Sequence, residues 1–157
     1  MLILTLTFVK SITAQTSEEK ETFFSRKYVG ISIQVNATRE TVPGANITIT
    51  LLVNCTADDV YVDYLNLSVY GYKHFKYGLE KNTLTSVCVI KQSFLVYHNA
   101  SQHNYTIPVP SDVWDLTYAE LHLTYTISGE LKERDETFSI TTVRNVRWEE
   151  LEAVSYT

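Results

Sequence analysis

Six of the eight asparagines in this 157-residue chain open an Asn-X-Ser/Thr triplet, the acceptor pattern for N-linked glycans. They are Asn36, Asn46, Asn54, Asn66, Asn99 and Asn104. The Ser and Thr content yields roughly one or two such triplets by chance, so the excess points to sugar attachment. A glycan is bulky and solvated, and it is added to the surfaces of exported proteins. A secreted or extracellular location, on or near a cell surface, is therefore expected.

Other reactive residue types are sparse. Cys55 and Cys88 form no C-x-x-C pair; in an exported chain they predict one disulfide, worth about 3–4 kcal/mol in the chain-entropy account. Two buried free thiols are the other reading. His98 and His103 flank a sequon in the polar stretch HNASQH, where a zinc ion would want further ligands, and solvated loop histidines are the simpler reading. Asp58, Asp59 and Asp63 offer oxygens to calcium but lack the Gly turn and ligand spacing of a recognised loop. Neither set predicts a resident metal. There is no G-x-S-x-G, no H-E-x-x-H and no Gly-rich phosphate loop in a chain with five glycines. Neither an enzyme nor a cofactor is expected.

The most distinctive unglycosylated segment runs from Tyr70 to Gly78, where Tyr70, Tyr72, Phe75 and Tyr77 interleave with Lys73, His74 and Lys76. Exposed aromatics of this kind give large contact area at low entropic cost, which suits a recognition loop for protein or sugar. A hairpin whose aromatics fold back on the core is the commoner arrangement.

The elements that must position these residues are legible as period-2 alternation. Val29, Ile31, Ile33 and Val35 share a phase, as do Ile47, Ile49, Leu51, Val53 and Cys55 after a Pro43-Gly44 turn. Leu65, Leu67 and Val69 follow, then Val87 to Ile90, Phe94 to Tyr97, and Tyr105, Ile107 and Val109. Ala119, Leu121, Leu123, Tyr125 and Ile127 come next, and Phe138 and Ile140 close the series. Short strands of this composition predict an all-β fold, an antiparallel Ig-like or arrestin-like β-sandwich over 28–144. Asn36, Asn46, Asn54, Asn66 and Asn104 fall on the polar phases and Cys55 on an apolar one, although neither fact set the phases.

At the ends, Leu2 to Val9 with Ala14 resembles a short secretory signal over 1–15 that lacks a leading positive charge; an N-terminal edge strand is the other reading. Residues 16–27 read as a polar leader. Asn145 is a helix cap for Val146 to Val154, which predicts a short C-terminal helix or the start of a stalk over 145–157. A net charge of −5 leaves no basic stripe for nucleic acid, and no apolar run reaches the length of a membrane span.

The run Val42-Pro-Gly-Ala-Asn-Ile-Thr-Ile-Thr, with Val62 to Gly71, Tyr105 to Pro110 and Leu121 to Tyr125, resembles Ig-like and arrestin-like sandwiches. Its sequons and W-E-E-L-E ending are similar to ectodomains of archaeal glycosylated surface proteins. The resemblance implies a structural, adhesive or protein-recognition module. Its partner would be another surface protein or a glycan, met at the bare stretches Tyr70–His98 and Tyr105–Arg144, including the charged hairpin Ser128–Glu136. A calcium-dependent carbohydrate-binding or hydrolase accessory domain and a secreted viral or immune-type ligand are the alternatives.

Overall fold

The computed structural model describes residues 19–90, 94–95 and 100–145, and of 85–90, 94, 95 and 100 the backbone alone. The alternating segments become β1 (Lys20–Tyr28), β2 (Ile31–Thr38), β3 (Glu40–Thr41), β4 (Asn46–Cys55) and β5 (Val60–Phe75). They are followed by β6 (Gly78–Ile90), β7 (Phe94–Leu95), β8 (Ala100–Pro108), β9 (Asp115–Ile127) and β10 (Glu130–Val143). Four strands form one sheet in the order β1-β2-β4-β8; the other runs β3-β10-β9-β5-β6, with β7 pairing on β5. The ladders are antiparallel apart from the short parallel pairing of β3 with β10. This is the expected all-β sandwich.

The apolar phases meet in one core between the sheets. Ile33 and Val35 of β2 and Ile49, Leu51 and Val53 of β4 join Leu65, Leu67 and Val69 of β5 and Leu121, Leu123 and Tyr125 of β9. Each is buried, and burying such an aliphatic side chain contributes about 1.5–3 kcal/mol. Strand β5 buries Val60 and Val62 and then Leu65, Leu67 and Val69, a change of parity within one strand. A bulge between Val62 and Tyr64 in the ladder to β9 accommodates it. The Pro43-Gly44 turn forms as expected: Ala45 N donates to Val42 O at 3.1 Å, and Gly44 takes φ 84°, which a type II turn requires at that position.

Two expectations need adjustment. Residues 20–27 of the polar leader are strand β1, paired along β2 from Lys20↔Thr38 to Tyr28↔Ile31. The strand escapes the alternation rule because it is an edge strand that buries only Phe24, which stacks on Phe138 of β10 at 4.5 Å. Its remaining charges suit an edge that must not pair further. Val29, assigned to the apolar phase of β2, is 71% exposed in the tight β1–β2 turn beside Gly30, whose φ is 79°. The C-terminal helix over 145–157 lies outside the described residues except for Asn145, which has no regular secondary structure, and the described residues contain no helix. The signal-like segment 1–15 also lies outside them, as do Tyr97, His98 and Asn99.

Candidate functional site

Past Tyr70, β5 runs on as a two-stranded hairpin with β6, turning tightly at Lys76 and Tyr77. On its other side Lys73 bridges to Val113, and His74 N donates to Asp112 O at 3.1 Å. The bridge explains Gly71: a Cβ there would lie 2.7 Å from Val113 Cγ1.

The seven loop residues singled out from sequence divide into two groups. Tyr70 and Tyr72 fold back on the outer face of the larger sheet. Tyr70 stacks on Tyr118 at 5.4 Å, Tyr72 meets both rings edge-on, and the Lys81 ammonium sits 3.9 Å from the Tyr70 ring centre. Burial pushes the Tyr70 phenol pKa up, and Lys81 is held by Glu120 at 3.0 Å. Lys73 pairs with Asp112 at 3.7 Å, and His74 stacks on Trp114 at 4.2 Å. The tip is different: Phe75, Lys76 and Tyr77 project into solvent, with Tyr77 85% exposed, and Leu79 joins them.

Beneath the tip lies an open groove of about 740 Å³, lined by His74, Phe75, Lys76, Trp114, Asp115 and the stretch Thr142 to Asn145. Asp115 adopts φ 81°, uncommon for a residue with a side chain, and its Oδ1 accepts the Leu116 N–H at 2.9 Å. Arg144, on the far rim, pairs with Glu40 at 3.8 Å. The groove thus has an aromatic wall and two cationic side chains. Trp114 and Arg144 fall within the bare stretch Tyr105–Arg144 expected to meet a partner, but no local pattern singles them out, because they join the hairpin only through the β8–β9 connection and the end of β10.

Asn36, Asn46, Asn54 and Asn104 all lie on the smaller sheet, in β2, β4 and β8, and none of their side chains is buried. The side-chain oxygen of Asn36 accepts from Thr22 Oγ1 at 2.7 Å and from Gln34 Nε2 at 3.0 Å, and that of Asn104 accepts from Thr50 Oγ1 at 2.9 Å. Both leave Nδ2, the atom a glycan would take, out of those bonds. Asn66 is on the outer face of the larger sheet, where its Nδ2 donates to Ser68 Oγ at 3.1 Å. None of the described sequon asparagines lines the groove.

The three aspartates proposed as weak calcium ligands are not gathered. Asp59 accepts from Ser128 Oγ at 2.6 Å and Asp63 from Thr126 Oγ1 at 2.9 Å, which makes them strand-end tethers, while Asp58 is exposed in the β4–β5 turn. Among the described residues, His122, Glu133 and Asp135 are brought together instead. That group does not show in the alternation of either strand alone and emerges only when β9 and β10 are paired through the Ser128-Gly129 turn. His103 points into the sandwich from β8, where burial pulls its pKa down, and its Nε2 lacks a hydrogen-bond partner.

Cys55 is a free, buried thiol, so the expected Cys55–Cys88 bridge is not formed. Cys55 ends β4 in the smaller sheet, whereas the backbone of Cys88 pairs with Asn66 across β5–β6 in the larger one, rather than with Leu65 or Leu67. Alternation put Cys55 on a core phase correctly but carried no information on the register of β6. Burial raises the Cys55 pKa and keeps the thiol protonated.

No protein-family model and no curated protein matches the sequence. Among solved structures, Spo0M, a sporulation control protein from Bacillus subtilis, superposes with a TM-score of 0.54 at 18% identity, over 81% of this chain and 55% of that one. The chain thus spans about half the length of Spo0M, and the likeness supports the arrestin-like β-sandwich fold. A cycloisomaltooligosaccharide glucanotransferase from Paenibacillus aligns with a TM-score of 0.36 at 14% identity, over 71% of this chain and 14% of that one. No helix among the described residues is long and apolar enough to cross a membrane.

Proposed function

We propose that the chain is an extracellular, N-glycosylated recognition module without catalytic activity, which engages a protein partner through the β5–β6 hairpin tip and the groove beneath it. The observation that carries this reading is the exposure of Phe75 and Tyr77, with Leu79, beside Lys76 at the end of the sandwich. Aromatic and apolar side chains held out on a paired hairpin are the composition of an interface centre, and the nearby cations supply a polar rim. The sequons support it from the opposite direction: sugars on the smaller sheet would cover that face and leave the groove bare.

The test is binding of the purified, glycosylated protein to the surface of its source cells. A Phe75→Ser/Tyr77→Ser double variant should lose binding at least tenfold. A Val29→Ser variant, altering an exposed apolar residue at the opposite end, should bind like the parent. Equal loss in both, or in neither, rules the hairpin out.

One observation favours a second reading. Cys55 is a free thiol, and unpaired cysteines are the usual state in a reducing compartment. An intracellular arrestin-like scaffold would use the same hairpin and groove but carry no sugar.

A further inference from the structure

On the outer face of the β9–β10 hairpin, away from the groove, the two-residue turn at Ser128–Gly129 sets the register so that His122 faces Asp135 and Thr124 faces Glu133. Glu133 and Asp135 are two apart on one strand and therefore share a face. Asp135 Oδ1 contacts the Nδ1 side of the His122 ring, and Glu133 Oε1 lies 3.6 Å from Nε2. One donor atom from each of the three lies within 4.8 Å of the others. The ring is steadied from β5 by Tyr64, edge-on at 5.5 Å.

Two further features separate this group from an ordinary surface ion pair. The first is charge. Lys81 is committed to Glu120 and Lys132 to Glu130 at 2.9 Å, while the Arg134 guanidinium lies 5.7 Å from the Tyr28 ring. Among the described residues, His122 is the one ion-pair partner of Glu133 and of Asp135. An imidazole carries at most one positive charge, so two carboxylates face it and a second positive charge is wanting. The second feature is space. A polar depression of about 190 Å³ adjoins the group, lined by Asn66, Ser68, Glu120, His122, Asp135 and Thr137. It offers room for the waters that an open coordination sphere needs.

We propose that His122, Glu133 and Asp135 form a surface site for a divalent transition ion of the zinc type. One imidazole nitrogen and two carboxylate oxygens are the borderline donor set that zinc accepts, with water in the remaining position. Calcium, which takes six to eight oxygens, is disfavoured by the same set. The site does not use the groove; because Asn66, a sequon asparagine, lines the depression, the test uses the unglycosylated chain, so its failure is distinct from a failure of the recognition reading.

Zinc chloride titrated calorimetrically into the untagged, unglycosylated chain tests it. One equivalent should bind saturably, and magnesium and calcium should bind at least tenfold more weakly. His122→Gln and Glu133→Gln should each weaken zinc at least tenfold, while Glu130→Gln, an exposed carboxylate on the same hairpin, should leave it unchanged. Glu133 is exposed, so its variant keeps the test sound if His122→Gln perturbs folding. No saturable binding by the parent, or unchanged binding in Glu133→Gln, overturns the proposal.

Discussion

His74 and Trp114 stack with ring centroids 4.2 Å apart and planes 15° from parallel, and His74 Nε2 lies 2.9 Å from the Trp114 carbonyl oxygen. In that geometry Nε2 carries the proton and donates it to the carbonyl. The contact ties the projecting hairpin to the β8–β9 connection and forms the aromatic wall of the groove. Trp114→Ala should cost about 2 kcal/mol in urea unfolding, below the range for a fully buried aromatic because Trp114 is half-buried. Trypsin should also cut sooner at Lys73 and Lys76 in native protein. A variant with parental proteolysis would mean that the stack does not hold the hairpin.

Gly71 is required by a neighbour rather than by its backbone angles. Since a Cβ would meet Val113 Cγ1 at 2.7 Å, Gly71→Ala should destabilise by about 1–3 kcal/mol, the usual range for overpacking. Val113→Ala is itself destabilising, yet adding it to Gly71→Ala should cost less than it does alone. Strict additivity in the double-mutant cycle would count against a direct clash.

The Phe24–Phe138 stack is the place where one edge of each sheet meets. Phe24→Ala should cost about 2–3 kcal/mol, and the cycle with Phe138→Ala should show coupling of about 0.5–1.5 kcal/mol, as for other aromatic pairs. Circular dichroism melts of the four proteins measure it. Zero coupling would mean that β1 is held by its ladder to β2 alone.

The same pair illustrates what the sequence could and could not reveal. Interior strands such as β4 and β9 announce themselves because both sheet faces constrain every residue, and all five apolar positions named for each are buried. β1 does not, because an edge strand of charged residues needs one anchor, and Phe24 alone sets no period. Pairing was the harder problem. The Ser128-Gly129 turn is a two-residue hairpin signal from which the His122–Asp135 register follows by counting. The register of Cys88 on β6 depends instead on the irregularity in the β5–β6 ladder between Val69 and Tyr70, which has no local signature. The groove combines three segments distant in sequence, so its His74–Lys76 wall is legible residue by residue and Trp114 to Arg144 only as part of the bare stretch Tyr105–Arg144.

Tyr125 is fully buried on β9, and its hydroxyl lacks a hydrogen-bond partner. An unsatisfied buried hydroxyl costs about 1–3 kcal/mol, so Tyr125→Phe should be neutral or stabilising by up to about 1 kcal/mol once the small packing loss is included. A loss of more than 1 kcal/mol in chemical denaturation would reveal a partner for the hydroxyl.

His103 makes acid stability its own signature. Burial lowers its pKa in the folded chain below the ordinary 6.5, so the unfolded chain binds the proton first as pH falls. The stabilising contribution is complete above about pH 6.5 and is lost as pH drops through the folded value. His103→Gln should flatten the fall in melting temperature as pH drops below about 6.5. An unchanged slope would assign acid sensitivity to other groups.

The central claim, a glycosylated module acting outside the cell, is tested most directly by intact-mass spectrometry of the protein isolated from its own source, before and after enzymatic deglycosylation. The account predicts a mass above that of the polypeptide, a shift on deglycosylation, and sugar mapped to sequons on the smaller sheet, Asn36, Asn46, Asn54 or Asn104. A bare chain, with no mass shift on deglycosylation, would contradict it and leave the intracellular scaffold as the better description.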